Sequence, residues 1–469
     1  MKMVAQLIIN AVMLGMTIYI TIYVNQNVLF AGYEWLFLLP LLYYFAFSFI
    51  LLPLLFYRFN TFIMSFTFVA FLRYTLLPYL IVASGWYVGR SPVDPLPQSF
   101  TYAITIMMWE LLITTLTIAL CFYPKKTIKV PHVSVAKNRI LLPPQKQFYW
   151  FYLVLCGVVV VLMPSSLRTF AFIMPHANML DIGEGGFVVS VVQFMLIAGK
   201  SILFLLLLSN VYQKYQKTNQ TRWVVWSFII VLLHICLLFG DNRSDFLISA
   251  IASLYLFYRL FQRRALPYIM STIALLFFIF INITTYRNTV SITRGGDRLV
   301  DLTDMLQIYA GGPYNVALAS ELPHYFPDAA TWGNLLYDLG RPVMGLNVLF
   351  KQMEGFEFSN YLYNYRIYFS DHVAQIIPMI GQGNYYFGFV FAPLLHVGFI
   401  CFALYLYRVM QRQQRIELVF FLTIPITRLG FMMGQNAGIL LNDISFTLLL
   451  TMFIYYINNK VVWRKENKS

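Results

Sequence analysis

The chain has 469 residues, of which 59% are hydrophobic and only 11% charged, with a mean hydropathy of +0.68 and a net charge of +14. Soluble domains carry about 25% charged residues, so this composition excludes an ordinary water-soluble enzyme. Cys121, Cys156, Cys236 and Cys401 lie in or at the ends of apolar runs without disulfide or metal spacing, as structural cysteines do.

Runs of roughly 20 apolar residues predict membrane spans. Twelve are expected, at about 5–23, 35–57, 62–86, 102–122, 148–163, 187–209, 223–239, 245–260, 266–284, 384–407, 418–434 and 438–457. The first run is span-length and lacks a small-residue cleavage site, so no cleavable signal peptide is expected. The fold class is therefore all-α: one polytopic domain over 1–469, with a connector of 285–383 between the ninth and tenth spans.

Cytoplasmic connectors accumulate Lys and Arg. With the N-terminus inside, 21 of the 33 basic residues fall in cytoplasmic segments, among them the run "PKKTIKVPHVSVAKNRILLPPQKQ" and the tail "NNKVVWRKENKS". Only Glu417 and Glu466 of the acids join them. Both termini are then cytoplasmic and the long connector lies outside. The basic balance is a topology signal, and nucleic-acid binding is not needed to explain it. The remaining basic residues are Arg73, Arg90, Arg168, Lys200, Arg243, Arg287, Arg294, Arg298, Arg341, Lys351, Arg366 and Arg428, almost all arginine. A guanidinium matches phosphate bidentately, whereas an ammonium is a point charge. The arginine bias points to a phosphate-bearing ligand; lipid anchoring and pairing with outer acids remain open.

Along the chain, Arg73 and Glu110 sit in neighbouring antiparallel spans and are expected to pair, because charges in a bilayer need partners. Lys200, in "LIAGKSILF", has no evident sequence partner. The turn "LLFGDNRSDFLIS" needs Gly, Asn or Asp for its geometry but has no such need for Arg243. In "DRLVDLTDMLQIYAG", Leu299, Leu302, Leu306 and Tyr309 share one helical face and Asp297, Asp301 and Asp304 the other. That pattern predicts an amphipathic interfacial helix with a solvated acidic face. The stretches "LPHYFPDAATWGNLLYDLGRP" and "EFSNYLYNYRIYFSDH" set Tyr361, Tyr363 and Tyr365 among Asn, Asp and Arg, a composition suited to stacking sugar rings or to an interfacial aromatic belt. Arg428, before "GFMMGQNAG", stands where glycines permit a broken helix.

The turn "GDNRSDFLIS", the large late outer connector and "SNYLYNYRIYFSDHVAQIIPMIGQGNYYFG" together resemble the Wzy-type oligosaccharide repeat-unit polymerases of O antigen, enterobacterial common antigen and capsule. The resemblance covers the layout of the whole chain, with local residues from about 238 to 390. It implies a GT-C-like, inverting, metal-independent and cofactor-free glycosyltransferase in the bacterial cytoplasmic membrane, with its active site facing the exterior. Donor and acceptor would be undecaprenyl-pyrophosphate-linked oligosaccharides, and a chain-length regulator and a flippase the protein partners. Carried over, Arg243 and His372 are catalytic residues, with Asp371 beside His372; Arg287, Arg294, Arg298, Arg341 and Arg366 match only the family's general wealth of outer arginines and, with Arg243 and Arg428, make up the expected pyrophosphate set. Fixed guanidinium groups stabilise a leaving pyrophosphate without reorganising. Asp371, His372 and His324 are candidate bases for the attacking hydroxyl. A flippase or secondary transporter, and a ligase sharing the donor chemistry, are the rival readings.

Overall fold

The computed structural model describes residues 2–57, 59–123, 140–143, 146–173, 186–239, 243–290, 298–350 and 352–460; of residues 2, 186–187, 243–244 and 280–290 it describes the backbone alone. The chain is predominantly helical. Among the described residues seven helices are long and apolar enough to cross a membrane: Met3–Asn27, Leu38–Tyr57, Thr61–Ser84, Pro97–Phe122, Val188–Thr218, Leu394–Arg412 and Ala437–Lys460. Gln147–Leu162 and Thr221–Cys236 are shorter apolar helices at two more of the expected spans. The other three expected spans fall on helices Arg243–Phe261, Leu266–Val290 and Ile416–Leu429. This is an all-α polytopic membrane protein. Local chemistry sets several boundaries. Asn60 caps the helix after it by accepting from Phe62 N at 2.9 Å, and Pro97 opens its helix where no N–H is needed.

The single domain expected from the sequence divides into two compact units, both discontinuous. One comprises Met1–Lys129, Thr293–Leu406 and Arg428–Asp443; the other comprises Val130–Ile292, Tyr407–Thr427 and Ile444–Ser469.

In the first unit, the expected Arg73–Glu110 pair is present and larger than expected. Arg73 Nη2 lies 2.8 Å from Glu110 Oε2, and Arg73 Nη1 donates to Glu110 Oε1 at 3.2 Å. Tyr74 OH donates to Glu110 Oε2 at 2.9 Å, and His396 Nε2 lies 2.8 Å from Glu110 Oε1. Arg73 and Tyr74 occupy a π-helical turn, Leu72–Leu76; such turns widen a helix locally and re-aim its side chains. Arg73 Nη1 also donates to the Met433 carbonyl at 2.8 Å. Gly434 follows, and a Cβ there would stand 2.0 Å from the Tyr309 carbonyl, so only glycine fits.

The helix Arg298–Tyr309 forms, but the solvated acidic face expected of it is corrected at Asp304. Asp304 is buried and takes Arg90 on one oxygen, Nη2 at 2.9 Å and Nε at 3.1 Å. Thr303 and Gln307 are buried too, whereas Leu299 and Leu302 are exposed. Thr303 Oγ1 donates to the Leu299 carbonyl at 2.7 Å and contacts Ser84 Oγ at 3.1 Å. Paired polar groups can be buried, and here Asp304 turns inward onto Arg90, while Asp301 is half-buried.

In the second unit, helix Thr221–Cys236 ends in a short strand, Leu237–Phe239, paired antiparallel with Phe170–Phe172. Ending a helix leaves carbonyls without intrahelical donors. Lys200 supplies one: its Nζ donates to the Leu237 carbonyl.

Candidate functional site

The helix Ser359–Tyr368 carries the site. Ser359, Leu362, Tyr363, Asn364, Arg366 and Ile367 are buried, while Tyr365 is exposed and Tyr361 half-buried. Phe358, Tyr361 and Tyr365 recur at i, i+3 and i+7, the spacing of one helical face. Their rings make a continuous ledge: Phe358 to Tyr361 centroids are 5.9 Å apart and Tyr361 to Tyr365 6.4 Å. Phe326 adds an edge-on ring 6.1 Å from Tyr365.

The inward face is pinned by polar staples. Asn364 Oδ1 accepts from Ala374 N at 2.9 Å and Gln375 N at 2.7 Å, and its Nδ2 donates to the Gln375 carbonyl at 2.7 Å. Asn360 Oδ1 accepts from Ile377 N at 2.8 Å and from Asn436 Nδ2 at 3.2 Å. These bonds hold the returning chain, 374–377, against the helix and display the turn between them. The helix stops at Phe369, whose φ of +51° is left-handed and disfavoured for so bulky a residue. The turn then presents Asp371 and His372, both exposed. Tyr361 OH donates to Asp371 Oδ1 at 2.7 Å, and that bond pushes the Tyr361 phenol pKa up. His372 packs edge-on against Tyr368, 5.0 Å between centroids.

At the other end of the ledge, the Arg341 guanidinium lies 4.1 Å from the centroid of Phe358 and 5.9 Å from that of Tyr337. Among the described residues no carboxylate pairs with it. Next to Phe358 opens a cleft of about 480 Å³ lined by Asp328, Ala329, Asn334, Gly355, Phe356 and Glu357. The floor beneath is a carboxylate network. Asp338 is buried, and its Oδ2 accepts from Ser359 N at 3.2 Å, Gln382 Nε2 at 2.8 Å, Tyr386 OH at 3.1 Å and also Ser359 Oγ. Burial nonetheless raises the Asp338 pKa above the usual carboxylate range, against the opposing effect of those donors. Gln382 Oε1 passes the network on by accepting from Ala437 N at 2.9 Å.

The residues expected to form the site divide into three groups. Asp371, Tyr361, Tyr365, Arg341 and His372 gather on and around the ledge. Arg366, Arg428 and Tyr363 are taken up by the scaffold. Arg366 Nη2 and Nε donate to Glu321 Oε2 at 2.6 and 3.0 Å, while Glu321 Oε1 accepts from Leu96 N at 3.0 Å and Ser99 Oγ at 2.8 Å. Arg428 is ion-paired to Asp443. Tyr363 is fully buried, so the expected sugar-stacking role is corrected: no face of its ring is open. In the third group, Arg298 is exposed at a helix start. Arg294 lies outside the described residues, as do Gly240, Asp241, Asn242, Asp297 and Lys351; for Arg243 and Arg287 only the backbone is described. His324 is exposed, edge-on to Tyr325 at 5.6 Å.

Three participants went unread in the sequence. Phe358, which joins Arg341 to the tyrosines, was accessible through its helical spacing. Asp338 and the cleft residue Glu357 carry no sequence signal beyond being acids in an aromatic stretch. Among the described residues no three His, Cys, Asp or Glu side chains converge as metal ligands would. The chain matches no protein-family model, no curated protein and no solved structure.

Proposed function

We propose that this protein is a membrane glycosyltransferase that polymerises polyprenyl-pyrophosphate-linked oligosaccharides outside the cytoplasmic membrane, as its resemblance to Wzy-type polymerases implies. One observation carries the reading: a single helix face joins a stackable aromatic ledge to a guanidinium at one end and a carboxylate–imidazole turn at the other. Sugar rings offer CH faces to aromatics and hydroxyls to carboxylates, and a lipid pyrophosphate offers paired oxygens to a planar fork.

In this mechanism the donor sugar stacks on Tyr361 and Tyr365, with its pyrophosphate at Arg341. The cleft with Asp328, Asn334 and Glu357 takes further sugar hydroxyls. The acceptor's hydroxyl oxygen bonds to the anomeric carbon as that carbon's bond to the pyrophosphate oxygen breaks. The electron pair leaves with the polyprenyl pyrophosphate, and Arg341 stabilises the charge gained there. Asp371, oriented by Tyr361, takes the hydroxyl proton, and His372 beside it completes the turn. Attack from the face opposite the leaving group inverts the anomeric carbon.

The test uses the purified protein in vesicles with lipid-linked repeat units, the products separated as a ladder. Asp371→Asn should lower turnover by about 10²–10⁴-fold, the usual contribution of a general base, while His372→Gln lowers it less. Wild-type ladders from both variants would remove the turn from the chemistry. Single transfer to a lipid-A-type acceptor without any ladder would favour the ligase reading.

A further inference from the structure

The helix Trp332–Gly340 buries Leu335 and Tyr337 but leaves two other large apolar side chains in the open. Its polar side chains Asn334 and Asp338 are buried, while Trp332 is 72% and Leu336 60% exposed. The chain after it continues the pattern: in "RPVMGLNVLF", Val348 is 60% and Leu349 65% exposed, with Leu346 also exposed. The two pieces pack together through Phe350, whose ring lies where a Cβ on Gly340 would meet it at 2.5 Å. Surface turns are ordinarily polar, and contiguous exposed apolar patches mark a contact with something other than water.

What covers this patch follows from its neighbours. Trp332 packs on Phe387, 5.9 Å between centroids. From Phe387 the chain runs through Val390, Phe391 and Leu394, all large, apolar and exposed, into the span helix Leu394–Arg412. The patch is thus continuous with the exposed apolar surface of a helix long and apolar enough to cross a membrane. Arg341, without a carboxylate partner among the described residues, ends the helix at the border of the patch. A basic side chain there reaches the phosphate layer while its neighbours enter the acyl layer.

We propose that the face of Trp332, Leu336, Leu346, Val348 and Leu349 docks into the outer acyl boundary of the bilayer, as an interfacial amphipathic element does. The proposal rests on the polymerase reading for its purpose: it sets Arg341 and the ledge at the depth where a lipid-linked pyrophosphate lies, so the donor enters by lateral diffusion.

The full chain is reconstituted in phosphatidylethanolamine–phosphatidylglycerol vesicles with or without brominated lipids, and tryptophan emission is compared between wild type and Trp332→Phe. The expected result is a wild-type component that shallow brominated lipids quench and that Trp332→Phe lacks. Quenching of that component by aqueous iodide alone, or by neither agent, overturns the proposal, the latter because a protein partner then covers the face. A second variant, Leu349→Asp, should raise KM for a long-chain lipid-linked donor about tenfold with kcat unchanged, and leave a short, water-soluble donor unaffected. An unchanged KM for the long donor also overturns it. Lipid quenching in a wild-type protein that makes no ladder would leave the docking intact and remove the polymerase reading instead.

Discussion

At the residue scale, Arg341 is the side chain whose chemistry is least replaceable. Its guanidinium lies over the Phe358 ring and offers a planar fork to a bidentate anion, which a lysine ammonium does not. Arg341→Lys should therefore lower polymer turnover at least about tenfold, and Arg341→Ala about 10²–10³-fold, as when one fixed transition-state donor is removed. Ladders of normal length and rate from Arg341→Lys would show that only a charge is needed there. Asp338 makes a different prediction, on stability. Its pKa is raised in the folded protein, so the native state holds the proton more tightly than the unfolded chain. That contribution is fully present below the unfolded carboxyl pKa and is lost as pH rises through the folded value. Melting temperatures of wild type should thus fall relative to Asp338→Asn between acid and neutral pH; parallel curves would mean that the four donors fully offset burial.

At the element scale, the helix Ser359–Tyr368 presents its tyrosines outward only because Asn360 and Asn364 hold its inner face. Tyr361→Ala and Tyr365→Ala each remove ring contacts of about 0.5–1.5 kcal/mol. Each should raise KM for the sugar substrate a few fold, with kcat falling further in Tyr361→Ala, which also frees Asp371. Asn364→Ala removes the clamps on Ala374 and Gln375 and should speed amide exchange across 369–377 without changing the transmembrane helices. Exchange confined to its wild-type pattern would show that Phe369 and its neighbours hold the turn unaided. Tyr361, Tyr365 and the Arg73–Glu110 pair were legible in the sequence, the pair because the cost of a bare charge in lipid is a local rule, while Phe358, one turn before Tyr361, was missed. The staples were not, since an asparagine declares its partners only once the chain has returned to it. Tyr363 shows the same limit: it alternates with Tyr361 and Tyr365 in the sequence, and the helical period turns it inward.

At the scale of the whole molecule, the long apolar helices were readable because a bilayer imposes its demand on every residue of a segment at once. The packing of the 285–383 connector was not, because Asp304 looked solvent-bound until Arg90, far away in sequence, met it. The positive-inside pattern makes a topology prediction. On a cysteine-free background, Asp328→Cys should react with an impermeant maleimide added to intact cells, and Lys217→Cys only after permeabilisation; the reverse labelling would invert the orientation and move the ledge to the cytoplasm. Polymerisation is also expected to continue in excess chelator, since in the proposed mechanism Arg341 supplies the charge that a metal would. Complete loss restored by magnesium would contradict that.

The Arg73–Glu110–His396 cluster has a consequence for biosynthesis. Arg73 and Glu110 enter the membrane early, yet the Met433 carbonyl that Arg73 grips lies 360 residues further along the chain. At roughly 5–20 residues per second, the ribosome takes about 20–70 s to supply it. Until His396 and then Met433 arrive, the two charges have only each other and Tyr74, so the hairpin of their helices must be stable as an early intermediate. Glu110→Gln, with one charge left uncompensated in the nascent hairpin, would then act first on membrane insertion, and its mark would be degraded chains of about 130 residues, before any defect in the finished protein.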